Sequence, residues 1–170
     1  ESLGYASDIT RTFPINGSFS KAQKQIYQIV LSAQKSAIAS IKPGEKVNTP
    51  HEIACDIISR GLIKLGIMKE LNNLNEFYMH KTGHWLGLDV HDVGEYEIDN
   101  DFRDFKEGMV TTVEPGIYIR KNDKIDPKYW NIGIRIEDDV LVTKDGNHVL
   151  SKSAVKEVKD IEYLMSQNIT

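Results

Sequence analysis

The apolar residues of this chain change their spacing partway along it, and that change limits the fold more than any other feature of the sequence. Ser20-x-x-Gln23 is a capping box, and Ala22, Ile26, Ile29, Val30, Ala33, Ala37 and Ile41 follow it along one helical face until Pro43-Gly44 ends the run. Thr49-Pro50 starts a second helix, with proline at its first position and Glu52 completing Thr-x-x-Glu. Its buried stripe is Ile53, Ile57, Ile58, Leu62 and Leu65. Further on, β-branched residues gather in 109–119 and 132–143, which read as strands, and another strand is expected through 9–13. Lys144-Asp145-Gly146-Asn147 is a turn into a short returning strand near 148–150. Val155, Val158, Ile161 and Leu164 predict a third helix over 155–165. Helices first and strands clustered afterwards predict an α+β domain with an antiparallel sheet rather than a βαβ repeat.

Composition narrows the function. The 170 residues carry 21 Lys plus Arg against 25 Asp plus Glu, a net charge of −4, with no basic stretch, so a nucleic-acid partner is not expected. With 27% charged residues and no long apolar run, no membrane partner is expected. Cys55 is the single cysteine, which excludes an internal disulfide and makes the cytoplasm the default location.

Four segments carry chemistry that secondary-structure propensity does not explain. His80-Lys81-Thr82-Gly83-His84-Trp85-Leu86-Gly87-Leu88-Asp89-Val90-His91 holds three of the five histidines, and imidazole serves both metal binding and proton transfer near neutral pH. His80 and His84 are four apart, but the intervening residues are not those of a zincin helix. Glu114 ends a β-rich run just before Pro115, which cannot extend a ladder. Two-residue periodicity sets Arg135 and Glu137 on the face opposite Ile134 and Ile136. Asp8 stands at the entry to the expected first strand. Each alone has a plain reading: a turn-starting aspartate, a solvated strand-end charge, an ion pair, a polar loop. Together Asp8, His84, Glu114 and Glu137 offer three carboxylates and one imidazole, a set suited to Mn²⁺, Fe²⁺, Co²⁺ or Zn²⁺ and to two such ions sharing oxygens.

At these same segments the sequence resembles the Xaa-Pro aminopeptidases (aminopeptidase P) of the pita-bread metallopeptidases. The resemblance rests on Ser7-Asp8-Ile9-Thr10-Arg11-Thr12-Phe13-Pro14, His84-Trp85-Leu86-Gly87-Leu88-Asp89-Val90-His91-Asp92, Thr112-Val113-Glu114-Pro115-Gly116 and Gly133-Ile134-Arg135-Ile136-Glu137-Asp138-Asp139. It implies a curved antiparallel sheet with helices on its outer face and two divalent ions, Mn²⁺ first, with Zn²⁺, Co²⁺ or Fe²⁺ as alternatives. Asp8 and Glu137 would bridge the ions, and His84 and Glu114 would complete the ligands. Glu114 would also accept the proton, with His91 and the more peripheral His80 as catalytic and substrate-binding histidines. Arg135 would support the carboxylates, and Tyr118 would form part of the pocket wall. The implied reaction is hydrolysis of the bond between an N-terminal residue and a following proline, on peptide substrates with proline second.

The family's first ligand, an aspartate shortly upstream of the one matching Asp8, falls ahead of Glu1. The chain is therefore expected to be the C-terminal portion of a single catalytic domain, incomplete at its N-terminus, with weak metal binding and little activity alone. A homo-oligomer is left open, since a truncated sheet exposes an edge. The alternatives are a prolidase, restricted to Xaa-Pro dipeptides, and a metal-free peptide-binding module on the same scaffold.

Overall fold

Helix α1 (Lys21–Ser40) begins where the capping box places it, with the Gln23 N–H donating to the Ser20 hydroxyl at 3.2 Å and the Ser20 N–H to the Gln23 side-chain carbonyl at 2.8 Å. The computed structural model describes residues 3–167. In it α1 packs on α2 (Thr49–Lys64), and the two approach closely because Gly61 has no side chain: a β-carbon there would sit 2.7 Å from Ile29. α1 buries Ile26, Tyr27, Val30, Ala33 and Ala37 completely. No helix among the described residues is long and apolar enough to cross a membrane.

The strands are β1 (Glu97–Ile98), β2 (Asp101–Phe102), β3 (Val110–Val113), β4 (Gly116–Ile119), β5 (Ile132–Arg135), β6 (Asp138–Thr143) and β7 (Gly146–Val149), followed by α3 (Val158–Ser166). All pairings between them are antiparallel: β1 with β2, β3 with β6, β6 with β7, and β4 with β5. The two β-rich runs expected at 109–119 and 132–143 are each interrupted at the same level. Pro115 cannot donate to a ladder, so the pairing stops at Val113 opposite Asp138 and resumes at Gly116 opposite Arg135. The register carries unchanged across this gap and sets Glu114 across from Glu137.

Two further lengths of chain flank this ribbon. The 77–86 segment lies along β3 and β4, its carbonyls taking N–H bonds from Thr112 (to His84, 3.0 Å), Glu114 (to Thr82, 2.7 Å) and Tyr118 (to Phe77, 2.9 Å). On the opposite edge, the Glu137 N–H donates to the Thr10 carbonyl at 3.1 Å. The strand expected at 9–13 is extended backbone rather than a ladder. The Thr12 hydroxyl accepts from the Arg135 N–H at 3.2 Å and donates to its carbonyl at 2.9 Å, occupying the groups a strand's backbone would use. Ile117, Ile119, Ile134 and Ile136 are buried beneath α1, so alternation turns Arg135 and Glu137 to the uncovered face.

The 77–86 segment sits close to β3 because residue 83 is glycine. A β-carbon on Gly83 would lie 2.1 Å from the Thr112 carbonyl oxygen, which is fixed in the sheet. Gly83→Ala is expected to destabilise the chain by about 1–3 kcal/mol, read as a lower urea midpoint at unchanged slope.

Three local expectations need correction. Thr49 does not cap α2: its hydroxyl bonds the Glu45 carboxylate at 3.0 Å, and Glu52 instead takes the Asn48 amide at 2.6 Å. Leu164 is exposed, because α3 buries only Ile161 against the core and faces outward over its last turn. The returning strand begins at Gly146, earlier than expected, since its pairing with Thr143 leaves only two residues in the turn. The β1–β2 hairpin was not foreseen; Asp99 and Asn100 both adopt left-handed conformations, as a two-residue hairpin turn requires.

Candidate metal centre

Each of four adjacent lengths of chain delivers one donor to the uncovered face: Asp8 from the N-terminal edge, Glu137 from the β5–β6 break, Glu114 from the β3–β4 break, and His84 from the 77–86 segment. The sheet curls enough for its two outer members to meet. His84 Nε2 lies 3.4 Å from Asp8 Oδ2 and 3.5 Å from Glu114 Oε1. Ligand atoms of His84, Glu114 and Glu137 all fall within 4.8 Å of one another, and so do those of Asp8, His84 and His91. The His91 ring meets His84 edge-on at 4.4 Å.

The hydrogen bonds around the histidine define what this cluster lacks. His84 Nδ1 is 3.0 Å from the Trp85 carbonyl, which can only accept, so Nδ1 carries a proton and Nε2 is the ring atom turned to the carboxylates. Carboxylate oxygens and one ring nitrogen thus converge from several sides with few hydrogen-bond donors among them. Like charges directly opposite in a sheet destabilise it, yet Glu114 faces Glu137 there. Burial, with Glu114 and Asp8 adding to it, pushes the Glu137 carboxyl up to about 7 despite the Thr10 hydroxyl that donates to it. The nearest guanidinium to Glu114, that of Arg135, is 3.6 Å away. A donor set of three carboxylates and one oriented imidazole, crowded and short of positive charge, fits divalent cations.

The other site residues form a chain beside it. Arg135 Nε donates to the Tyr118 hydroxyl at 2.8 Å, so that hydroxyl's proton goes to His80 Nε2 at 2.8 Å, and His80 Nδ1–H donates to the Lys81 carbonyl at 2.8 Å. These contacts fix the tautomer of His80 and set its ring against Tyr118. His84, His91, His80, Glu114 and Arg135 all open onto one cavity of about 590 Å³.

Sequence reasoning assigned nothing to the groups that hold Asp8 and Glu137. The Thr10 hydroxyl donates to Glu137 Oε2 at 2.5 Å. Arg11 Nη1 binds the backbone carbonyls of Glu137 (2.6 Å) and Thr10 (2.9 Å), and Nη2 pairs with Asp138 Oδ1 at 2.6 Å. The Asp8 N–H reaches both oxygens of Asp139 at 3.3 Å. The signal was present: Thr10 and Arg11 lie two and three residues after Asp8, and Asp138-Asp139 directly follow Glu137. Thr10→Val, which keeps the shape and removes the donor, is expected to weaken Mn²⁺ binding about tenfold by calorimetry, while Thr10→Ser retains it.

Residues 1–144 match the model of metallopeptidase family M24. The Haemophilus influenzae protein named Xaa-Pro aminopeptidase is 48% identical over 169 residues, covering 95% of this chain and 39% of its own length. The structure of Pseudomonas aeruginosa aminopeptidase PepP superposes with a TM-score of 0.92 at 49% identity, covering 95% of this chain and 38% of that one. Escherichia coli aminopeptidase P with the inhibitor Pro-Leu gives 0.89 at 46% identity, over the same shares. The pita-bread α+β arrangement expected from the motifs is the fold found. The chain spans well under half the length of these relatives.

Proposed function

We propose, from the premise that this chain belongs to metallopeptidase family M24, that it forms the C-terminal portion of a catalytic domain that releases an N-terminal residue from peptides with proline second. The relatives' names and the implied ligand set support this reading, and the coverage of 38–39% supports its being one portion of a larger unit. One observation carries it: four donors from four neighbouring lengths of chain converge with few hydrogen-bond donors or fixed cations to satisfy them.

Asp8, His84, Glu114 and Glu137 would hold two divalent cations, Mn²⁺ before Zn²⁺, Co²⁺ or Fe²⁺, with a further carboxylate from outside this chain. When bound, the cations supply an activated water and positive charge for the developing oxyanion. Glu114 takes the proton and passes it to the proline nitrogen, which cannot leave without one because it departs as an amine. His91, beside His84, binds the substrate carbonyl. His80, held by Tyr118 and Arg135, orients the peptide beyond the scissile bond. Cys55 as the single cysteine supports a cytoplasmic setting.

The test uses the full-length protein with Mn²⁺ and the peptide Ala-Pro-Leu. Release of free alanine that stops on chelation and returns with Mn²⁺ is expected. Activity that survives exhaustive chelation overturns the reading, and comparison with the dipeptide Ala-Pro separates an aminopeptidase from a prolidase.

A further inference from the structure

The cavity that opens on the metal centre has a basic end that the proposed chemistry does not use. Of its lining, Arg135 is engaged by Tyr118 and Glu114, His80 by Tyr118, and His91 rests on His84. Lys81 lines the cavity and has no acidic partner among the described residues. Beside it stands His51, half-buried at the start of α2, with Nδ1 2.8 Å from the Thr82 hydroxyl. His51 and Lys81 both line this end of the cavity, and burial first, then the neighbouring Lys81 and His80 charges, lower the His51 pKa. Glu97 and Glu114 are the cavity's only acids among the described residues, and Glu114 belongs to the metal centre.

We propose that Lys81, with His51 beside it, binds a carboxylate carried by the peptide on the far side of proline, making it a specificity determinant for short or acidic peptides. Lys81 follows His80 in the chain and both line the cavity, which puts a cationic residue in the same wall as the histidine that orients the peptide. This assignment rests on the proposed peptidase reading. The carboxylate has two sources, the C-terminus of a tripeptide or an acidic side chain after proline, and both present the same charge to the same ammonium. Because Lys81 is largely exposed, the pair is screened and its effect moderate.

The experiment compares kcat/KM of the full-length Mn²⁺ protein for Ala-Pro-Leu, its C-terminal amide, and Ala-Pro-Glu amide. The free acid is expected to be preferred over the Leu amide by about fivefold. The Glu amide tells the two sources apart: turnover like the acid assigns the side chain as an equal ligand, and turnover like the Leu amide restricts the site to the C-terminus. Lys81→Met should erase the preference, Lys81→Arg should keep it, and added salt should erode it. Equal turnover of all three peptides by the unaltered protein overturns the assignment while leaving the peptidase reading intact. If no peptide is cleaved, calorimetry with Pro-Leu and Pro-Leu amide decides the same point: equal affinities overturn it, and a difference lost in Lys81→Met upholds it.

Discussion

Replacing Glu137 with alanine is expected to abolish divalent-cation binding and to lower peptide hydrolysis by the full-length protein about 10³-fold, the loss of several kcal/mol of transition-state stabilisation. Glu137 is fully buried, faces Glu114 across the gap in the ladder, and takes the Thr10 hydroxyl on one oxygen. The adjacent Asp138 could not substitute for it as a ligand, because it is committed to Arg11 and Lys156. The same position has an opposite effect on the cation-free chain. Burial and the charges of Glu114 and Asp8 raise its folded pKa to about 7 from 4.5. An acid with a raised folded pKa contributes its full stability below the unfolded value and loses it as pH rises through the folded one. Glu137→Gln is therefore expected to stabilise the cation-free chain by about 1 kcal/mol or more at pH 8, and by little at pH 4. Chemical denaturation without metal at the two pH values, beside Mn²⁺ titration by calorimetry, separates the ligand role from the folding cost. A variant that still binds Mn²⁺ with unaltered affinity would remove Glu137 from the centre.

Asp138→Ala is expected to cost about 3–5 kcal/mol of folding free energy, the usual consequence of removing one member of a buried charged group. The Asp138 side chain is wholly buried and accepts bonds from Arg11 (2.6 Å), Ser151 (2.6 Å), Gln34 (2.6 Å) and Lys156 (2.5 Å). These join the N-terminal segment, α1, β6 and the approach to α3. Burial would raise its pKa, but the bonds from Lys156, Ser151 and Arg11 outweigh that and hold it below its ordinary value. The contribution of a depressed carboxylate is present above its unfolded pKa and lost as pH falls through the folded value, so acid unfolding should set in at higher pH once the network is broken. Without Asp138, Arg11 and Lys156 are left in a mostly buried site without their counter-charge. Asp138→Ala combined with Lys156→Met should recover part of the loss, and a double-mutant cycle in urea measures the coupling. Additive effects would show that the two side chains do not stabilise each other.

Both predictions involve residues side by side in sequence, yet only the metal-ligand candidate stood out before the structure. A carboxylate on a strand face opposite two isoleucines, near an arginine, is a visible pattern. Asp138 reads as one acid in an acidic run, because its partners come from positions 11, 34, 151 and 156. The same contrast holds for the fold. The capping box of α1 and the stripe of Ala22, Ile26, Val30, Ala33 and Ala37 were legible because they depend on residues within a few positions of one another. The interruption of both β-rich runs was half-legible: Pro115 announced one break, whereas the break at Ile136-Glu137 is imposed across the ladder by that proline.

What the sequence determined by itself was the order of periods, hence an α+β class, and four candidate donors, since side-chain chemistry and local spacing are properties of neighbours along the chain. Only tertiary structure decided that these donors meet. The curl of the sheet brings Asp8 to His84, the Trp85 carbonyl orients the ring so that Nε2 faces the acids, and the shared register sets Glu114 across from Glu137. Those facts depend on distances between residues far apart in number, and it is burial and proximity that turn four ordinary side chains into a site short of positive charge.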